Sequence, residues 1–442
     1  MRAATASIVL MAACWVPVVG ARAAADFPDL PPESQVLAAL TQHPAVLAAE
    51  ADVQFEEANR RRLKAGTYEF HVRAEVQNRH VLLDPGSTNY AEYGVAVERP
   101  VRLPGKATLD EEIGSEGVEV ARLTRGAAMH DTSRRLLQLW FAWLREHAAV
   151  QQWLEQVAVL QQQVAITSKR LRAGDAPRLE LNLAAAAASQ AEASALQART
   201  RESIARTELE QTFPGLRAPQ TVVFVEPQPV TQPFDYWRDR IVEYNHEIAR
   251  AREEVKRREL LVSRARADQT PDPTLGVRYM NEFGGAEKIA GMFVSMPIPG
   301  EARAASSQAA VAQVSLATQQ ESAALRMVGA EMSATYHGAV GAFDAAGKAR
   351  EAADAMTRNA DLTGRAYQLG ESSLNDVLVA RRLALEAGLA LRNARLQAQE
   401  ARYRLLLDAH LLWPIDLDED ADKGQEGPHK DDGRAYSERH PS

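Results

Sequence analysis

The chain has 442 residues, 46% of them hydrophobic and 25% charged, enough apolar material for a sizeable core. Its formal net charge of -8 argues against nucleic acid as a partner, because phosphate binding needs a basic field. Alanine is frequent and aromatic residues make up only 6%, a composition suited to long helices packed closely together.

Residues 1–25 read as an export signal. Arg2 supplies a short positive region, Ser7–Met11 and Val16–Val19 form a broken apolar stretch, and Ala21-Arg22-Ala23 offers a cleavage site. Met11-Ala12-Ala13-Cys14 also matches a lipoprotein processing site, which would leave Cys14 lipidated at the new N-terminus. Both readings take the chain out of the cytoplasm. Cys14 is the only cysteine, so the folded part holds no disulfide. No later window has the 18 or so continuous apolar residues of a membrane-spanning helix, so membrane entry would require a barrel.

From there the chain contains one unit twice, about 200 residues apart. Gln42-His43-Pro44 opens a helical stretch to Ala65, and Asn245-His246-Glu247 opens another to Ala267. Alternating segments follow at Glu69–Arg79 and Tyr90–Arg99, with counterparts at Thr274–Asn281 and Lys288–Met296. Pro100 with Pro104-Gly105 leads into a proline-free helix from Lys106 to Leu171, and Pro297 with Pro299-Gly300 leads into another from Glu301 to Leu369. At 1.5 Å per residue each would span roughly 100 Å, a length that implies coiled-coil-type packing. Turns at Gly174 and Gly370 precede return helices Pro177–Thr212 and Ser373–Leu412. The expected organisation is a first repeat over 26–212, a linker over 213–234 with a short extended run at Thr221–Val225, a second repeat over 235–414, and a disordered acidic tail over 415–442 that carries His429 and His440.

In the first strand Phe70, Val72, Ala74 and Val76 alternate with Glu69, His71, Arg73, Glu75 and Gln77, giving one apolar and one charged face. Tyr93, Val95 and Val97 alternate similarly in the second, and Leu275, Val277 and Tyr279 in the third; the fourth is apolar on both faces and its register stays open. Tyr90, Tyr93, Tyr279 and Phe283 are candidates for an aromatic girdle at lipid interfaces. Alternation alone fits both a soluble sheet packed on helices and barrel strands. Four strands leave two open edges, which lipid does not tolerate, so a membrane reading needs several chains to pool their strands.

In its duplicated helix, hairpin and long-helix order, the stretch from Leu37 to Leu412 resembles the outer-membrane factor family typified by TolC. The resemblance implies a mainly α fold with a small β part. Long antiparallel helical hairpins would form a periplasmic α-barrel, and four strands per chain a twelve-stranded transmembrane barrel in a homotrimer. It also implies an outer-membrane efflux duct in contact with lipid, a periplasmic adaptor (membrane-fusion) protein and an inner-membrane efflux transporter as partners. A weak similarity to the heavy-metal (CzcC-like) branch leans toward cation export. The alternatives are a soluble periplasmic coiled-coil scaffold and a polypeptide-exporting type I secretion duct.

In that family the second-repeat turn reads Tyr-x-x-Gly with an Asp six residues on, here Tyr367, Gly370 and Asp376; Gly174 and Glu180 occupy the matching first-repeat positions. The resemblance implies a carboxylate ring from Asp376 and a Tyr367–Glu180 pair that holds the tip closed, and both acids also fit the plain reading of solvated charges near helix N-termini. The family's second gate Asp is Val379 here and its tip Arg is Ser372, so a thinner closed-state network is expected. Adaptor contact would fall on the turns and on Arg170, Leu171 and Leu374. No phosphate loop, zinc motif or nucleophile turn appears, and the scattered histidines (His43, His71, His80, His130, His147, His246, His337) and Trp140, Trp143 and Trp153 read as capping or packing residues. No enzyme and no cofactor are expected.

Overall fold

The computed structural model describes residues 27–219 and 221–415. The segment read as an export signal, with Cys14, and the tail from Asp416 with His429 and His440 lie outside the described residues.

The first repeat comprises α1 (Glu33–Thr41), α2 (Pro44–Ala65), β1 (His71–Leu83), β2 (Gly86–Pro100), α3 (Lys106–Ala173) and α4 (Arg178–Thr212). The second comprises α5 (Phe234–Tyr244), α6 (His246–Ala267), β3 (Thr274–Glu282), β4 (Glu287–Ser295), α7 (Glu301–Gln368) and α8 (Leu374–Asp408). Each unit therefore opens on a short helix ahead of the five helices and strands read from sequence, α1 being the one that reading passed over. Thr221–Val225 forms no strand. The linker is instead tied down by Glu226, which bonds Arg350 of α7 and lies 2.9 Å from Arg395 of α8.

Equivalent helices start on equivalent caps. His43 Nδ1 accepts from the Ala45 amide at 3.3 Å with Pro44 in the first turn, and Asn245 Oδ1 accepts from the Ile248 amide at 3.0 Å. The 68-residue helices α3 and α7 each run about 100 Å. Their packing follows heptads of small residues. In α4, Ala184, Ala188, Ala191, Ala195 and Ala198 are buried in four-three steps. In α7, Met332, Ala339, Ala346, Ala353 and Ala360 are buried at intervals of seven. Along its length α3 packs first on α2 and α6, then on α4 and α8, and α7 packs on α6 and α8. The bulkiest core lies midway, where Leu136, Trp140, Phe141, Trp143 and Leu144 of α3 meet the ends of α4 and α8 and the segment around Leu30. Trp153 packs lower down against Leu160 and Ala188.

Close approach between α2 and α3 is set by a glycine. A Cβ on Gly114 would stand 2.8 Å from the Cα of Arg60, a backbone atom that no rotamer change can move aside. Gly114→Ala is therefore expected to push the helices apart and cost about 1–3 kcal/mol. A fall in the thermal unfolding midpoint checks it; an unchanged midpoint would contradict the contact.

The strands form one antiparallel sheet in the order β1-β2-β3-β4. The first hairpin pairs continuously from His71↔Glu98 to Leu83↔Gly86, so its strands reach further toward the turn than alternation alone indicated. Register puts Val72, Val97, Val277 and Met292 in one row and Ala74, Val95, Tyr279 and Ala290 in the next. This settles the fourth strand, with Met292 and Val294 joining the apolar face and Phe293 the other. Among the described residues no α-helix makes an extended contact with the sheet, and the apolar face stands open: Val76 is 84% exposed, Val72 70% and Met292 87%. That arrangement is incompatible with a soluble sheet whose apolar face packs on helices. The opposite face carries the ion pairs Arg73–Glu98, Arg79–Glu92 and Arg79–Glu282.

The aromatic girdle needs a correction. Tyr93 and Tyr279 lie on the apolar face, but Tyr90 is an odd step from Tyr93 and pairs with Arg79 on the charged face. Its ring stands 5.2 Å from that of Phe283, over which the Arg79 guanidinium sits at 4.7 Å.

A charged knot joins the sheet to the helices. Lys106, at the start of α3 and 2% exposed, bonds the Asp272 carboxylate at 2.9 Å, Asp268 at 3.1 Å and the Thr270 carbonyl at 2.8 Å. Asp272 also accepts from the Leu103 amide at 3.0 Å and the Tyr68 hydroxyl at 2.8 Å. Beside it Asp110 holds Arg264 at 2.6 Å and Arg102 at 3.3 Å. Sequence reading missed this cluster, whose members come from both repeats. Burial and the Asp272 carboxylate push the Tyr68 phenol up to about 12.

Candidate functional site at the helix tips

The two hairpin tips are built alike. Gly174 ends α3 at φ +84° and Gly370 follows α7 at φ +80°, the left-handed backbone that glycine adopts without a Cβ clash. In the first tip the Gly174 amide donates to the Leu171 carbonyl at 3.1 Å and the Asp175 amide to Arg170 at 2.9 Å. In the second the Gly370 amide donates to Tyr367 at 3.1 Å and the Glu371 amide to Ala366 at 2.9 Å. Both are Schellman turns, and they superpose Leu171 on Tyr367 in the repeat.

These turns bring three polar side chains together. The Tyr367 hydroxyl donates to Glu180 Oε2 at 2.8 Å. Arg170 Nη1 donates to the Tyr367 oxygen at 2.5 Å, lies 3.8 Å from Glu180, and stacks its guanidinium 5.2 Å from the Tyr367 ring centre. Arg170 also donates to the Asp175 carbonyl at 3.2 Å, which fixes it to its own turn. The first repeat supplies Arg170 and Glu180, the second supplies Tyr367, and the bonds cross between hairpins. Burial pushes the Tyr367 phenol up and the Glu180 carboxylate adds to this, while Arg170 opposes. At neutral pH the group is a neutral phenol between a cation and an anion.

Asp376 stands apart from this trio. Its carboxylate accepts from the Ser373 hydroxyl at 2.7 Å, the Ser373 amide at 3.0 Å and the Ser372 hydroxyl at 3.2 Å. The Asp376 amide donates back to Ser373 Oγ at 3.2 Å, completing a capping box at the start of α8. The Ser373 hydroxyl, then its amide, hold the carboxyl below the usual range. Glu180 has no such box, because its helix starts on Pro177.

The residues beside the turns differ in exposure. Leu374 is only 1% exposed: as an apolar first-turn residue it folds beneath the tip, so it presents nothing to a partner. Leu171 is half-buried and Arg170 is engaged inside the chain. The apolar groups that do stand out beside the turns are Leu179 and Leu369, 65% and 75% exposed. Exposed leucines flanking two left-handed glycines were the signal available in the sequence for them. Ser372 donates to Asp376, and the arginine at the trio is Arg170, from the other repeat.

No helix among the described residues is long and apolar enough to cross a membrane. No protein-family profile and no curated protein sequence matches the chain. Solved structures do. The chain is similar to the CmeC outer membrane channel of Campylobacter jejuni at 14% identity, over 88% of each chain and with a TM-score of 0.67. It is similar to the outer membrane protein VceC of Vibrio cholerae at 17% identity, over 85% of this chain and 95% of that one, TM-score 0.69. The Neisseria gonorrhoeae MtrE outer membrane channel, solved in its open state, aligns at 17% identity over 87% and 90%, TM-score 0.61. The chain has the fold of these outer-membrane proteins.

Proposed function

We propose that three copies of this chain form an outer-membrane exit duct that passes solute out of the periplasm and does no covalent chemistry. The observation that carries the reading is the apolar sheet face, open along four strands and ending in unpaired edges at β1 and β4. In lipid those edges need partners, and β4 of one copy meeting β1 of the next supplies them while leaving the charged face toward a water-filled lumen. Helices of about 100 Å would then carry the lumen across the periplasm. The likeness to outer-membrane channels supports the same reading.

On this reading the Arg170–Tyr367–Glu180 trio holds the periplasmic end closed, and one exposed Asp376 carboxylate per copy contributes to a cation-attracting ring. Leu179 and Leu369, with the Gly174 and Gly370 turns, offer an apolar seat for a periplasmic adaptor that couples the duct to an inner-membrane transporter. Heavy-metal cations are the proposed cargo, on the sequence lean alone. The full chain should fractionate with outer membranes and form pores when purified into planar bilayers. Recovery in the soluble periplasmic fraction would favour a coiled-coil scaffold instead.

A further inference from the structure

One arginine stands on the apolar face of the sheet. Register puts Arg99 in a row with Leu275 and Val294, next to the row of Val72, Val97, Val277 and Met292. Phe70, one residue before the first pair of β1, completes the Arg99 row. Met296 and Ile298, both exposed, continue the apolar surface past this row toward α7. The next cation on the same face is Lys288, paired with Asn281 three rows away, roughly 20 Å along the strands. Arg99 is therefore a single charge set among apolar side chains at the helix end of the sheet.

Its contacts leave the charge unanswered. Arg73 and Arg79, on the opposite face, are paired with Glu98, Glu92 and Glu282. Among the described residues Arg99 pairs with no carboxylate. Its Nε donates to the Tyr68 carbonyl at 2.8 Å, and its guanidinium lies 4.9 Å from the centre of the Phe70 ring. Tyr68 is itself braced, because its hydroxyl donates to Asp272 in the charged knot. The side chain is thus oriented through Nε while both Nη groups stay open, in the fork that suits two oxygens of a phosphate. Beside it an open cleft of about 340 Å³ runs between Phe70, Val277, Met292 and Val294.

We propose that Arg99 and this cleft bind one phospholipid per chain in the leaflet nearer the helices. The guanidinium takes the phosphodiester of the headgroup, and an acyl chain lies along Val277 and Met292. The site rests on the duct reading, which places this face in lipid. A cation on a lipid-facing strand is costly at the middle of the bilayer and tolerable near the headgroups, where a phosphate supplies the missing counter-charge. Basic groups at that depth select phosphate-bearing headgroups. The apolar walls decide between sources of phosphate. Inorganic phosphate would answer the guanidinium and leave Phe70, Met292 and Val294 in water, whereas a phospholipid answers both. Aromatic rings such as Phe70 also suit the boundary between headgroup and acyl chain.

The test is native mass spectrometry of the full chain in detergent, titrated with phosphatidylglycerol and separately with diacylglycerol of the same acyl chains. Phosphatidylglycerol is expected to saturate at one per chain, and diacylglycerol, which lacks the phosphate, to bind about tenfold more weakly. Arg99 is exposed, so its variants keep the fold. Arg99→Gln is expected to weaken phosphatidylglycerol binding about tenfold, and Arg99→Lys, which keeps the charge but not the fork, to weaken it less. Arg278→Gln, on the opposite face, is expected to leave it unchanged. Excess inorganic phosphate at matched ionic strength is expected not to displace the lipid. Binding that never saturates, equal binding of diacylglycerol, displacement by inorganic phosphate, or undiminished binding in Arg99→Gln overturns the proposal. Lipid is counted per chain and every residue of the site belongs to one chain, so the result is read whether or not three copies assemble. Failure of the duct reading would show separately, as a chain that stays dispersed without detergent.

Discussion

Replacing Lys106 with alanine is expected to destabilise the chain by about 3–5 kcal/mol, the usual loss when one partner of a buried ion pair is removed. The ammonium is 2% exposed and its bonds end on Asp272, Asp268 and the Thr270 carbonyl, all in the second repeat, whereas Lys106 begins the long helix of the first. Its loss leaves Asp272, 17% exposed, with neutral donors only. Urea unfolding in detergent, followed by helical circular dichroism, measures the effect. Asp272→Asn in the same background removes the stranded charge, keeps an acceptor for the Leu103 amide and turns an NH2 donor toward the Tyr68 oxygen. The double variant should therefore recover part of the loss, with a coupling of about 1–3 kcal/mol. Simple additivity would show that the knot is not a unit.

The knot also sets an acid limit. Burial pushes the Asp272 carboxyl up, but the Leu103 amide, Lys106 and Tyr68 outweigh it and hold it below the ordinary range; Arg264 and Lys106 do the same for Asp268 against its burial. Depressed carboxyls contribute stability that is fully present above their unfolded value, about 3.9, and is lost as pH falls through the folded one.

The second large effect is expected at the tips. Tyr367→Phe removes the hydroxyl that donates to Glu180 and accepts from Arg170, both across hairpins. Such charge-assisted bonds are worth about 1.5–3 kcal/mol when well shielded, and this trio is part-exposed, so about 1–1.5 kcal/mol is a fair share. That corresponds to a rise of about five- to tenfold in the open-to-closed ratio of pores in planar bilayers. Arg170→Ala should open them as well and Arg170→Lys less so, because lysine cannot stack on the ring while it donates. Asp376→Asn keeps an acceptor for the capping box and leaves the trio intact. It should weaken block by divalent cations at unchanged open probability. Wild-type gating in Tyr367→Phe would remove the trio from closure.

Much of this was legible in the chain because it is written twice. Proline and glycine fix where each long helix starts, and Gly174 and Gly370 mark turns only a left-handed residue makes easily. The alternation of Val72, Val95 and Val277 with charged or small neighbours gave three of the four strand faces. The fourth was closed to reasoning, since Ile289 and Phe293 are as apolar as Met292 and Val294, and only pairing with β3 separates them. Long-range polar contacts were closed for another reason. Arg170 reaches Tyr367 across 197 residues, and Lys106 reaches Asp272 across 166, with no local pattern to announce either. Leu374 misled because a leucine next to a turn looks exposed until the turn's own geometry folds it under.

The mass of the purified full-length protein in detergent tests the central claim most directly. Edges that cannot stay unpaired in hydrocarbon predict an assembly of three chains that precipitates once detergent is withdrawn. A single chain that remains dispersed in plain buffer would contradict it.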